Sequence, residues 1–258
     1  MLKKILVISA IVLIALGLLA LSGFAYHIRS NEKISKVEVR ISPSNTTGFV
    51  TEDQVIAKVN PGDTLLGYCI KELDESAIVK ELNKNEFIEQ TDCYIGLKGE
   101  IFIHAKERTP IVRVYEKNQS SYYIDQNGDF FSVHPNYAPR VIIANGYFDN
   151  TRQNEFGNIY DTVYRKTPLF SMFTLLQKIR ASNFFQLQVS QIYLNSMGEW
   201  ELVPEFGEHV VLLGDLNNLD EKLNNLHAFY KEVSRSNDWE KYQLINLKYQ
   251  NQIVCTKK

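Results

Sequence analysis

From Ile5 to Tyr26 the chain runs 22 residues without a charge, and Leu, Ile and Val dominate the stretch. At 1.5 Å rise per residue such a run makes a helix of about 33 Å, enough for a hydrocarbon layer of about 30 Å. Lys3 and Lys4 precede it, and Tyr26 and His27 supply an interfacial end. The tendency of basic residues to stay inside predicts a cytoplasmic tip (1–4) and a transmembrane helix (5–26), with about 230 residues exported beyond it. Arg29 and Lys33 on the far side dilute that asymmetry. A cleaved signal peptide is the competing reading, with Ala20-Leu21-Ser22 as a small-residue site. The apolar run exceeds the 7–15 residues of a signal core, which favours a retained helix. No Cys directly follows the run, which excludes a lipoprotein anchor, and no GxxxG specifies tight self-pairing.

The remainder has the balance of a globular chain. Lys and Arg number 28 against 30 Asp and Glu, and the basic residues are dispersed among acids. A protein whose main task is gripping nucleic acid needs clustered cations, so that class is excluded. Cys69, Cys93 and Cys255 are odd in number and lack CxxC spacing, which argues against a disulfide framework or a zinc site. One Cys69–Cys93 bridge is compatible with an oxidising compartment; small buried apolar thiols are the alternative.

Two folded units are expected, and together they make an α+β protein. In the first, Val37, Val39 and Ile41 alternate with Lys36, Glu38 and Arg40, the period of a half-buried strand. Thr51 with Gln54 three residues on makes a capping box, followed by an apolar stripe of Val55, Ile56 and Val59. Pro61-Gly62-Asp63 ends that helix. A second helix spans about 74–83, and strands at about 87–97 and 101–107 complete a β-α-α-β-β layer. Thr109-Pro110 is the boundary, without a Gly/Ser linker.

The second unit reads as a strand-rich antiparallel domain with two helices. Strands are expected at about 111–116, 122–125 and 140–144, with Asn127-Gly128 as a two-residue hairpin turn. Thr167-Pro168 opens a helix carrying Leu169, Met172, Phe173, Leu176 and Ile179. Strands at 192–194, 199–203 and 210–213 form a meander. A second helix carries Leu216, Leu219, Leu223, Leu226, Tyr230 and Val233, a face that must pack on a sheet. The closing strand runs from Leu244 to Cys255, with Ile245, Leu247 and Tyr249 on one face and a bend at Gln250-Asn251.

No motif with chemistry stands out. Asp125, Asn127 and Asp129 resemble the first ligands of a calcium loop, but the glycine falls at position four and no Glu follows at twelve. His104, His134 and His209 are scattered, and HExxH, GxSxG and P-loop patterns are missing. Glu199 and Glu201 alternate with Trp200 and Leu202, as on a solvated strand face, and Glu205 and Glu208 follow; paired catalytic carboxylates are the alternative. Asn45-Thr46-Thr47 and Asn118-Gln119-Ser120 fit glycosylation triplets that short patterns produce by chance. No catalytic residue, cofactor or metal is assigned, and the chain is read as a non-enzyme.

The order of elements resembles the bacterial division family FtsQ, called DivIB in Gram-positive species. Residues 34–41 and then Gly62-Asp63-Thr64-Leu65-Leu66 resemble the opening strand and G-x-x-L segment of its POTRA domain. Glu107-Arg108-Thr109-Pro110-Ile111-Val112 resembles the junction between its POTRA and β domains, and residues 123–131 resemble its hairpin. Residues 200–213 and the helix after them resemble its late β domain. Ile245-Asn246-Leu247-Lys248-Tyr249 resembles its closing v-D-L-R-Y strand, with Asn246 replacing the acid and Lys248 the arginine. The overall style resembles a Bacteroidetes-type member. The resemblance implies a POTRA-like domain at 33–108 and an FtsQ-type β domain at 109–258. It also implies a single-pass inner-membrane protein of the division septum with its C-terminal region in the periplasm. The implied role is a divisome scaffold joining FtsB/DivIC-like and FtsL-like bitopic proteins and septal peptidoglycan synthesis. Its partner-binding residues would be Asn246, Lys248, Tyr249, Gln250 and Gln252, on a terminal edge strand open to strand addition. The other readings are a POTRA-bearing envelope assembly or translocation factor and a membrane-anchored hydrolase.

Overall fold

The computed structural model describes every residue except 1, 31, 44–47, 60–65, 97, 118–119, 148–156, 237–240 and 251. Side chains of 2–8, 10, 25–30, 72, 235 and 236 also fall outside the description. The chain divides into two compact units, Met1–Arg108 and Thr109–Lys258.

In the first unit, helix α1 spans Leu2–Ser30. Its described side chains include Leu13, Leu16, Leu19 and Leu21, which are 58–70% exposed. Among the described residues no helix is long and apolar enough to cross a membrane. The continuous described stretch, Ile11–Phe24, has a rise of only about 21 Å. The ends of the expected span, 5–8, 10, 25 and 26, have side chains outside the description, as the 61–63 helix breaker and both glycosylation triplets do wholly or in part.

The globular part of this unit runs β1 (Lys36–Ser42), α2 (Glu52–Val59), a 3-10 turn (Ile70–Glu72), α3 (Glu75–Leu82), β2 (Ile88–Ile95) and β3 (Glu100–Glu107). The sheet order is β1-β3-β2, with β1 parallel and β2 antiparallel to the central β3. A parallel pair needs a crossover, and the two helices provide it. The capping box is reciprocal: Thr51 N–H donates to Gln54 Oε1 at 3.0 Å, and Gln54 N–H to Thr51 Oγ1 at 3.3 Å. Asp74 caps α3 by accepting from Ala77 N–H. Val39, Val55, Ile78, Leu82, Ile101 and Ile103 are buried. Ile56, expected on the α2 stripe, is 39% exposed: an eight-residue helix has room for one inward row, and Val55 occupies it. A buried carboxylate adds a tie that periodicity does not show. Glu107 Oε1 accepts from Val50 N–H at 2.6 Å, and a Cβ on Gly48 would lie 2.5 Å from Glu107 Oε2. Glycine lets that loop reach the acid.

The second unit contains β4 (Pro110–Tyr115), β5 (Ser121–Asp125), β6 (Phe130–Ser132), β7 (Ile142–Gly146), α4 (Pro168–Arg180), α5 (Phe185–Gln188), β8 (Val189–Leu194), β9 (Trp200–Pro204), β10 (Val210–Gly214), α6 (Leu219–Ser236), β11 (Tyr242–Asn246) and β12 (Val254–Lys257). Among the described residues nine strands form one sheet, β12-β11-β10-β9-β8-β7-β4-β5-β6. The sheet is mixed, where alternation alone suggested antiparallel: β4/β7, β7/β8 and β10/β11 are parallel. The crossovers β7–α4–β8 and β10–α6–β11 leave parallel strands and step in the same direction along the sheet. Crossovers of one hand therefore put both helices on one face. One hydrophobic core results, joining Met172, Phe173 and Leu176 of α4, Leu223, Leu226 and Tyr230 of α6, and the inward rows of the strands.

Local signals set the ends. Thr167 accepts from Phe170 N–H with Pro168 at the first helical position. The β5–β6 turn is one residue longer than expected. Gly128 N–H donates to Asp125 C=O, Asp125 N–H donates to Asp129 C=O, and Gly128 takes φ +87°. This is a type I turn closed by a left-handed glycine, and Asp125 Oδ1 selects it by accepting from Asn127 and Asp129 N–H. The acids that resembled calcium ligands thus serve the turn.

Candidate functional site: the C-terminal sheet edge

The closing segment is a hairpin, where a single strand from Leu244 to Cys255 was expected. β11 lies between β10 and β12: Ile245 is opposite Val211 on one side and Cys255 on the other. Leu247 N–H continues the first ladder to Leu212 C=O, and then the chain turns away. Asn246 Oδ1 accepts from Lys248 N–H at 3.0 Å, an Asx turn that bends the strand. Ile245 and Leu247 are buried as expected, but Tyr249 is 52% exposed. Asn246 sits opposite Val254 inside the sheet, and Lys248, Tyr249, Gln250 and Gln252 belong to the connection between β11 and β12.

At this end of the sheet the edge strand is therefore β12. Lys258 N–H donates inward to Lys241 C=O at 3.1 Å. Backbone groups alternate along a strand, so Val254 and Thr256 also face inward and Cys255 and Lys257 turn their N–H and C=O outward. Side chains alternate the other way. Ile253 and Cys255 lie against the core, while Val254 and Thr256 are exposed. All three cysteines are free thiols, so Cys69 and Cys93 are not bonded. Burial, then Glu75, pushes the Cys93 thiol up to about 11.

Lys248, Tyr249, Gln250 and Gln252 line a polar cleft of about 240 Å³ against Asn218 and Glu221 at the start of α6. Three of its charged groups, Asp215, Lys222 and Lys248, are paired within the fold. Lys222 donates to Leu213 C=O, Asp215 C=O and Asp215 Oδ1 at 2.8–2.9 Å and ties α6 to the end of β10. Lys222, then Asn217, holds the Asp215 carboxyl below its ordinary range. Lys248 pairs with Glu199, which raises its ammonium pKa. A Cβ on Gly214 would lie 2.7 Å from Lys248 Cγ, so glycine permits that approach. Among the described residues no group of three or more His, Cys, Asp or Glu is placed to hold a metal ion.

At the opposite end of β10, His209 is 2% exposed, and its Nε2 lies 2.8 Å from Tyr230 Oη. Burial, then the Lys258 ammonium, lowers its pKa from the ordinary value of about 6.5. The folded state therefore binds fewer protons than the unfolded chain. This contribution to stability is complete above pH about 6.5 and is lost as pH falls through the folded value. Urea unfolding at pH 7.5 and 5.5 is expected to show the loss in the wild type and a flatter response in His209→Gln. Equal pH responses would remove His209 from the account.

Residues 109–256 match the family model described as FtsQ/DivIB, C-terminal related, and residues 32–106 match a POTRA-like domain. The first match alone covers more than half of the chain. The chain belongs to the FtsQ/DivIB family. No curated protein matches it. FtsQ/DivIB membership indicates a cell-division protein that works with other division proteins at the septum, in a family that is generally non-enzymatic. The FtsQ/DivIB match includes β11 and β12. Sequence reasoning found this region and had Ile253 and Cys255 resume the strand after the bend, but it missed that Val254–Lys257 turns back as a separate outer strand. The available signal was the polar run Tyr249–Gln252 between two apolar alternations, which is a hairpin pattern.

Proposed function

We propose that this chain is a non-enzymatic bitopic scaffold of the divisome. Residues 1–4 lie in the cytoplasm and 5–26 cross the inner membrane. The POTRA-like domain (33–108) and the β domain (109–258) stand in the periplasm. FtsB/DivIC-like and FtsL-like partners dock on the β domain and link it to septal peptidoglycan synthesis. The observation that carries this reading is the outer edge of β12, whose backbone groups at Cys255 and Lys257 point away from the sheet. A partner segment adds there as a further strand. Lys248, Tyr249, Gln250 and Gln252 flank that edge and contact the partner's connecting segment, and Asn246 serves the site by bending the chain into that connection.

A proline scan of β12, read by circular dichroism and by co-purification with the FtsB-like partner, tests the docking site. Proline at 255 or 257 removes an outward N–H and is expected to weaken binding by about tenfold with the fold intact. Proline at 254 or 256 removes a ladder bond and is expected to lower stability first. If no position separates binding from folding, the partner surface lies elsewhere. For the membrane segment, Leu13→Arg costs about 2.5–3.5 kcal/mol on the insertion scale. Loss of the variant from the membrane fraction is the expected outcome, and full retention with unchanged topology would refute a simple single span.

A further inference from the structure

We infer that the strand accepted by β12 carries carboxylates toward its ends, where it meets the lysines, and between them an apolar row on the helix side and β-branched residues on the other. This rests on the docking role proposed for β12 and adds the chemistry of the occupant.

The charge distribution is the first ground. Residues 241–258 contain Lys241, Lys248, Lys257 and Lys258 and no Asp or Glu, in a chain whose acids slightly outnumber its bases. The cations bracket the edge. Lys248 stands where the β11–β12 connection begins, and Lys257 and Lys258 stand where β12 ends. Lys258 is paired with Glu208, whose side chain is 83% exposed, so solvent competes for that pair. Lys257 is exposed and among the described residues makes no ion pair. Its backbone faces outward, so a strand laid beside it places side chains next to this ammonium.

The side-chain pattern gives the rest. A strand added to β12 continues both faces of the sheet. On the helix side its residues meet Ile253 and Cys255, which are partly buried against the core, and apolar side chains suit them. On the other side they meet Val254, 43% exposed, and Thr256. A second copy of this chain is a poor occupant, because the edge segment it brings has lysines and no acid to set beside Lys257. Charge complementarity of this kind acts mainly on encounter rate and selectivity, so it leaves a salt dependence.

The probe is a phage-displayed library of random segments of about ten residues, a strand's length. It is selected against the purified full chain in detergent, against Lys257→Glu/Lys258→Glu, and against Cys255→Pro. Circular dichroism of each variant confirms the fold, and Lys257→Pro replaces Cys255→Pro if the latter is unfolded. Enrichment of Asp and Glu on the wild type is expected, with a swing to Lys and Arg on the charge-reversed chain and no enrichment on the proline variant. The selected peptides should bind about tenfold more weakly at 0.5 M than at 0.05 M salt, where the screening length falls severalfold. Enrichment without acidic bias that is still lost on the proline variant overturns the charge inference and leaves edge docking standing. Enrichment indifferent to the proline, or none at all, overturns the edge reading and the inference with it.

Discussion

Val39→Asp is expected to unfold the three-stranded unit while the nine-stranded unit survives. Val39 is 7% exposed and lies opposite Ile103, itself 1% exposed, in the parallel β1/β3 pair. Its row continues from Ile103 to Cys93 on β2. A carboxylate there must ionise in a desolvated layer without a counter-charge or take a proton and leave its polar atoms short of partners. Either course costs about 4 kcal/mol or more, a large share of the 5–15 kcal/mol that usually holds a domain. Limited proteolysis should cut residues between about 33 and 108 rapidly and leave a resistant fragment from about 109 onward. Equal resistance of both halves would show that Val39 is not a core residue.

The second large effect is expected at Ile245, which is fully buried between β10 and β12. Ile245→Ala removes most of a side chain from a packed layer, and such truncations cost about 2–5 kcal/mol. β11 is joined to β10 over only three registered residues, Leu244, Ile245 and Asn246, so the loss falls on the ladder that holds the edge strand. The variant should unfold at lower denaturant and bind the partner more weakly, although no residue facing outward has changed. Lys248→Ala is the control. It breaks a partly exposed pair with Glu199, worth about 0–1 kcal/mol. Comparable shifts in the two midpoints would mean that the terminal hairpin is held from its surface and not by its buried row.

These two positions also show what could be read from the sequence. Val39 and Ile245 were legible because alternation and helical stripes report burial directly, and the same holds for Leu223, Leu226 and Tyr230 on α6. Caps were equally legible, since Thr51 with Gln54 and Thr167 with Pro168 act within one turn of chain. What could not be read is set by partners distant in sequence. Parallel pairing of β10 with β11 leaves no local mark, so the sheet looked antiparallel. The tie between Glu107 and the loop at Gly48 spans 59 residues and depends on a missing Cβ. The site falls between these cases. Its neighbourhood, 246–252, was visible from the pattern of the last residues. The edge lies a few residues later because Asn246 bends its own backbone, a choice between strand and turn that the alternation of Ile245, Leu247 and Tyr249 hides.

The parallel pairing of β10 and β11 also sets an order in time. Nearly thirty residues, including all of α6, separate Gly214 from Tyr242. Closing so long a loop costs chain entropy before any contact offsets it, so such pairings form late. The antiparallel β8-β9-β10 meander, joined by short turns, can assemble first. β12 has no template until β11 is docked, and β11 is not docked until α6 has packed Leu223, Leu226 and Tyr230 into the core. A folding chain therefore does not display β12, the proposed acceptor strand, while its core is still open, and on that proposal the capacity to assemble is the last thing it gains.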